Sequence, residues 1–181
     1  YMFDTGKKEW KQFAEWPPKA AQKTQFYLRE NGKFTTETPS SASFTEYFSD
    51  PNKPVPSSTN LKDFNGFTPR NYMSEDQRFT ENRPDIASFN TEILNDDITL
   101  AGEIKVKLKI ASTGSDADFF VKLIDIYPAD KKNIKEKPGV IYGNYHQMVR
   151  SEIMPTRFRN SFEKPEALVP NQETEVVFNL Q

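Results

Sequence analysis

Between Glu103 and Ser112 every second residue is aliphatic: Ile104, Val106, Leu108 and Ile110 alternate with Lys105, Lys107 and Lys109. A period of two puts the aliphatics on one face of an extended strand and the lysines on the other. A helix would scatter the same lysines around its circumference. The pattern therefore demands a sheet with one dry and one wet face, which is the antiparallel kind. The stretch Asp118 to Tyr127 reads differently. Phe119, Phe120, Val121, Leu123, Ile124 and Ile126 are interrupted only by Lys122 and Asp125, and Pro128 ends the run. Apolar residues of both parities predict a central strand covered on both faces, with a buried helix as the competing reading. Thr113-Gly114-Ser115-Asp116 has the composition of a turn, so the two segments read as a hairpin.

Weaker alternation predicts strands at 24–29, 33–37, 86–91, 145–153 and 174–180. In 7–16, Trp10, Phe13 and Ala14 have helical spacing and predict a short helix. Aromatics are 13% of the 181 residues, with 15 Phe, although hydrophobic residues are only 35%. Disordered chains lack such aromatics, so the low hydrophobic fraction does not signal disorder. With 13 Pro and seven Gly, the expectation is an all-β sandwich or jelly roll with long irregular loops. The longest of these is 51–76. Pro51, Pro54, Pro56 and Pro69 keep it out of a sheet interior, yet it carries Leu61, Phe64, Phe67, Tyr72 and Met73. Those apolar side chains pack either on their own domain or on a neighbouring one.

The sequence excludes most chemistries. There is no Cys, hence no disulfide, thiol nucleophile or Cys-ligated zinc. His146 is the one possible imidazole base, and in Tyr142-Gly143-Asn144-Tyr145-His146-Gln147 it reads as a surface or hydrogen-bonded residue. Neither a G-x-S-x-G elbow nor a phosphate-cradling glycine loop occurs. A net charge of −2 sets up no field for nucleic acid or anionic membrane, and no apolar run reaches the ~20 residues of a membrane helix. No metal or cofactor is expected. Asp116 and Asp118 lie on the same side of an extended chain, but Phe119-Phe120 breaks a calcium-loop pattern. Paired acids also serve glycoside hydrolysis, and a turn-capping or structural role is the alternative for Asp116. Arg150, Arg157 and Arg159 suit carboxylate pairing within or between domains.

Read in order, the short motifs form a longer pattern. Thr5-Gly6 is followed by Trp10 and by Trp16-Pro17-Pro18. Tyr27-Leu28 precedes Gly32, and Tyr47 precedes Asp50-Pro51 and Pro54-Val55-Pro56. Asp76-Gln77-Arg78 leads to Arg83-Pro84-Asp85. Leu100-Ala101-Gly102, Asp116-Ala117-Asp118-Phe119 and Leu123-Ile124-Asp125-Ile126-Tyr127-Pro128 come next. Met148-Val149-Arg150 and Arg157-Phe158-Arg159-Asn160-Ser161-Phe162-Glu163 close the series. This order resembles the C-terminal domain of the X-Pro dipeptidyl-peptidase and cocaine-esterase family of serine hydrolases. Within that family it looks most like the α-amino acid ester hydrolases and glutaryl aminocephalosporanic acid acylases.

The resemblance implies one C-terminal jelly-roll domain over 1–181, galactose-binding-like in fold. It implies an accessory role, because the family's catalytic Ser, Asp and His lie in an upstream α/β-hydrolase domain that would be the partner. The chain alone lacks that triad. In cocaine-esterase-like members the loop after the P-V-P motif lines the acyl pocket, which makes Leu61, Phe64 and Tyr72 candidates for the pocket rim. Asp76, Arg78, Asp116, Asp118, Arg157 and Arg159 fall in matching motifs and are expected to be interdomain or structural. Starting at Tyr1 and stopping at Gln181, the chain reads as a fragment without the upstream domain and the last strands, with an uncovered edge open to self-association into a homo-oligomer. The resemblance also favours an exported protein. Two different readings remain: a carbohydrate-binding module, with Trp10, Trp16 and Tyr142 as stacking platforms, or a protein-interaction module, with 51–76 as its contact.

Overall fold

The lysine-rich alternation forms a strand whose aliphatic face is inward. In the computed structural model, which describes residues 1–59 and 72–180, regular structure is almost entirely β. In chain order the strands are β1 (Met2–Asp4), β2 (Glu9–Lys11), β3 (Tyr27–Arg29), β4 (Lys33–Thr35), β5 (Ile104–Ile110), β6 (Asp118–Ile126), β7 (His146–Pro155) and β8 (Thr174–Leu180). The helical pieces among the described residues are short 3-10 turns, such as Gln77–Thr80 and Thr156–Phe158. The fold class is all-β. The strands pair antiparallel in twos: β1 with β2, β3 with β4, β5 with β8, and β6 with β7. The chain divides into two compact units, Tyr1–Phe48 with Ile86–Glu103, and Ser49–Asp85 with Ile104–Gln181.

In the second unit, β5 and β8 pair in register from Ile104↔Leu180 to Ile110↔Thr174. Their shared inner face carries Ile104, Val106, Leu108 and Ile110 beside Val176, Phe178 and Leu180. Met154, Val121 and Leu123 from the β6–β7 pair pack against that face and complete the core. Two sheets facing each other in this way are a sandwich. Burying each such side chain contributes about 1.5–3 kcal/mol before the entropy of ordering is subtracted. On the wet face Lys107 pairs with Glu175 and Lys109 with Glu173, both at 2.9 Å. These pairs are well exposed and add little stability.

Three local expectations are corrected. β5 and β6 are not a hairpin, because each pairs with a different partner. The Thr113–Asp116 connection carries the chain from one sheet to the other. Its backbone bonds go to a later segment: Leu168 N–H donates to Ser115 O and Asn171 N–H to Ser112 O, both at 2.7 Å. Nor is β6 a central strand: among the described residues it pairs only with β7, and its second face is covered only in part, with Phe120 52% exposed. Finally, 7–16 is not helical. Trp10 in β2 lies opposite Phe3 in β1, with ring centroids 5.4 Å apart. The tight turn between them is held by Asp4, which accepts from Lys7 N–H at 2.9 Å and from Lys11 Nζ at 2.6 Å. A cross-strand aromatic pair plus this turn outweighs a weak helical spacing.

In the first unit, β3 and β4 bring Phe26 and Phe34 to a 4.9 Å ring separation. The strand expected at 86–91 is reduced to one bridge, Lys33↔Asn90, with Asn90 N–H donating to Gly32 O at 2.7 Å. Gly32 has φ +68°, and a Cβ there would lie 3.0 Å from Ser88 O, so the turn requires glycine.

Candidate functional site

The second face of the β6–β7 sheet is where the motif residues gather. Antiparallel register puts Phe120 opposite Ile153 and Lys122 opposite Ser151 on this face. Between Leu123 and Ile124 the register shifts, and Val149 becomes the extra residue of a bulge. Beyond the bulge Met148 pairs with Ile124 and His146 with Ile126, and both Met148 and His146 are buried.

Part of that cover is the segment Glu75-Asp76-Gln77. Gln77 is fully buried. Its Nε2 donates to Glu75 O at 2.8 Å, and its Oε1 accepts from Lys122 Nζ at 2.6 Å. Lys122 lies between two rings, 5.5 Å from the centroid of Phe79 and 5.2 Å from that of Phe120. Desolvation pushes the Lys122 ammonium below its usual range, and the nearby Glu75 carboxylate acts against that shift.

Asp76 caps the following turn, accepting from Arg78 N–H at 3.1 Å and from Arg78 Nε at 2.7 Å. It also accepts from the backbone N–H of His146 at 3.2 Å, which ties the turn to the start of β7. Partial burial works against the charged form of Asp76, but these bonds outweigh it and hold its pKa low. The Tyr145 hydroxyl donates to Ser74 O, so a second bond joins this segment to the sheet end. Tyr145 belongs to a trio with Tyr127 and Tyr142, with centroids 5.5–6.3 Å apart.

Glu75 acts in the opposite direction along the chain. Ser58 Oγ donates to its Oε2 at 2.7 Å, Thr59 N–H donates to its Oε1 at 3.0 Å, and Thr59 Oγ1 donates to the same oxygen. One carboxylate, from a residue after the stretch 60–71, thus clasps the two residues before it. Desolvation disfavours its ionised form, but the hydroxyl and amide donors prevail and the net pKa is lowered. A depressed carboxyl pKa stabilises the fold fully above the unfolded value of ~4.3, and the gain is lost as pH falls through the folded value. Glu75→Gln is expected to lower stability by about 1–2 kcal/mol at neutral pH. In urea titrations the gap between variant and wild type should close as pH falls below the usual carboxyl range. A gap that persists unchanged in acid would contradict the clasp.

The arginines form a separate clip at the other end of β6. Arg157 Nη1 donates to Asp116 Oδ2 at 2.8 Å and to Asp118 Oδ1 at 3.0 Å. Thr156 is fully buried; its Oγ1 donates to Asp116 Oδ1 at 3.1 Å and accepts from Ala117 N–H at 3.2 Å. Arg159 is nearly buried and donates to the carbonyls of Thr156 and Glu166 at 2.9 and 2.7 Å. It fastens the segment after β7 to the one before β8.

The motif residues thus fall into two clusters, Asp76 with Arg78, and Asp116 and Asp118 with Arg157, while Arg159 is bound to backbone nearby. Leu61 and Phe64 lie outside the described residues, and Tyr72, at 38% exposure, stands just beyond them. Sequence reasoning missed Gln77, Lys122, Ser58 and Thr156 as members of these clusters. Glu75 has no signal of its own in the sequence, because its partners lie 16 and 17 residues away.

The described residues form an all-β fold, and their motif side chains bond to one another and to backbone. The model of the X-Pro dipeptidyl-peptidase C-terminal non-catalytic domain matches residues 1–181, and the chain belongs to that family. Among its relatives, cocaine esterase of Rhodococcus sp. (strain MB1 Bresler) is 32% identical over 156 residues, covering 81% of this chain and 26% of the esterase. An aminopeptidase from the marine sediment archaeon Thaumarchaeota archaeon superposes with a TM-score of 0.87 at 33% identity, over 98% of this chain and 29% of that one. A selenomethionine-labelled α-amino acid ester hydrolase does so with a TM-score of 0.85 at 35% identity, over 98% of this chain and 30% of the other. The chain therefore spans less than a third of each of these relatives.

Proposed function

We propose that this chain is the accessory C-terminal part of a serine hydrolase acting on ester or amide bonds, and that it packs on an α/β-hydrolase domain and helps wall the acyl pocket. The jelly-roll order expected from the resemblance belongs to this reading. Its single best support is the Glu75 clasp. It ties Ser58 and Thr59 to the Glu75–Gln77 segment, which is itself bonded to β6 and β7. The stretch containing Leu61, Phe64 and Tyr72 thus begins and ends at a fixed base. Side chains of this kind act on a substrate by shape and water exclusion, with no proton transfer of their own. Asp76, Arg78, Asp116, Asp118, Arg157 and Arg159 serve the domain's own structure or its contact with the hydrolase part.

Pocket walls discriminate acyl groups by roughly 1–3 kcal/mol per methylene. In the parent hydrolase, Leu61→Ala, Phe64→Ala and Tyr72→Ala should therefore change the ratio of kcat/KM between short and long acyl esters by roughly 10-fold or more. The activity toward the smallest acyl group should stay within a few-fold of wild type. An unchanged acyl profile in all three variants would refute the pocket role.

A further inference from the structure

The two units divide their apolar side chains very unevenly. Every buried hydrophobic residue of the described chain (Tyr145, Met148, Met154, Leu168, Val176, Phe178 and Leu180) lies in the second unit. The first unit has no buried residue at all, although it holds both Trp residues. Its large apolar side chains are on the surface: Trp10 is 69% exposed, Phe44 82% and Ile93 94%, with Phe3, Trp16 and Phe48 also exposed. Single exposed apolar residues are ordinary, but a unit of this size with none buried is not. Its strands are three residues long, and 91–100 is exposed throughout and without regular structure. An isolated short hairpin is marginal in water.

We infer that the first unit is the docking surface for the hydrolase domain, and that its hairpin and the 91–100 segment become stably ordered only in that contact. This rests on the proposed function, which supplies the partner. The chain spans less than a third of each of its relatives, so most of such a hydrolase lies outside it and is available to cover this unit. The hairpin Met2–Lys11, with Phe3 and Trp10 exposed, offers it an aromatic surface. The exposed side chains are enriched in Trp and Phe, the types that anchor interface cores. The second unit, with its own core, provides the stable scaffold.

Hydrogen exchange separates the possibilities. Amides would be compared by mass spectrometry in the 181-residue chain alone and in the same chain fused to the catalytic part of its parent hydrolase. Exchange in 2–11 and 91–100 should slow at least roughly tenfold in the fusion, while amides of β5 and β8 stay unchanged. Protection gained only within the second unit would overturn this inference and leave the docking reading standing. Protection gained nowhere would defeat the docking reading and the inference with it. Protection of 2–11 and 91–100 in the chain alone, growing with its concentration, would assign the surface to a second copy and so also overturn the inference.

Discussion

Val176→Asp should unfold the sandwich of the second unit. Val176 is wholly excluded from water, in the middle of β8, and lies in the core with Met154, Phe178 and Leu180. A carboxylate placed there is surrounded by aliphatic side chains. It must either stay charged without a partner or take up a proton, and both are costly. The expected loss is about 4–5 kcal/mol or more, a large share of the 5–15 kcal/mol margin of a typical domain. Phe178→Ala, which only leaves a cavity, should cost about 3–5 kcal/mol. The neighbouring Val177 is the control. It faces outward, opposite Lys107, so Val177→Asp should cost no more than about 1 kcal/mol. Urea unfolding followed by circular dichroism measures all three. Equal losses at 176 and 177 would mean that the two faces of β8 are misassigned.

The second large effect is expected at Gln77. This fully buried amide connects the Glu75 carbonyl to the Lys122 ammonium. Gln77→Leu keeps the volume but removes both bonds. Lys122 then keeps its charge between the Phe79 and Phe120 rings without its closest acceptor. A stranded cation of this kind costs about 2–4 kcal/mol. Lys122→Met in the wild-type background strands the Gln77 oxygen instead, at about 1–3 kcal/mol. The double variant replaces both partners by apolar groups and should recover most of the loss, because matched apolar replacements are often neutral. The cycle should therefore show a coupling of at least about 1 kcal/mol. Strictly additive losses would mean that the two side chains do not meet.

These two sites differ in how legible they were. β5 and β8 could be read directly, because a half-buried strand writes its two faces into alternate residues. The all-β class followed from the same signal. The partner of each strand could not be read. Thr113–Asp116 has turn composition whether the chain folds back into a hairpin or crosses to the facing sheet, and the choice was made by bonds to Leu168 and Asn171. The helical spacing of Trp10, Phe13 and Ala14 was real, but the Phe3–Trp10 pair depends on a strand seven residues upstream.

At the site, the residue types were visible and the pairings were not. Asp116 and Asp118 stood out as acids and Arg157 as a base, yet about 40 residues separate them in sequence. Glu75 is one acid among many in the sequence, and a clasp on Ser58 and Thr59 leaves no periodic trace. Nothing in the local sequence distinguishes a buried Gln77 from a surface glutamine, since burial depends on how the 3-10 turn lands on the sheet. The family resemblance supplied what periodicity could not, because its motifs record long-range contacts as an order of short words.

The proposed function has this chain support an acyl-transfer reaction without carrying its nucleophile. The most direct test is turnover of an activated ester such as p-nitrophenyl acetate by the purified chain, by the catalytic part of the parent hydrolase, and by the two together. No burst and no turnover above buffer are expected for the chain alone, and the mixture should show a higher kcat/KM than the catalytic part by itself. Saturable turnover by the chain alone would contradict the proposed function, and so would a catalytic part whose rate is indifferent to the chain.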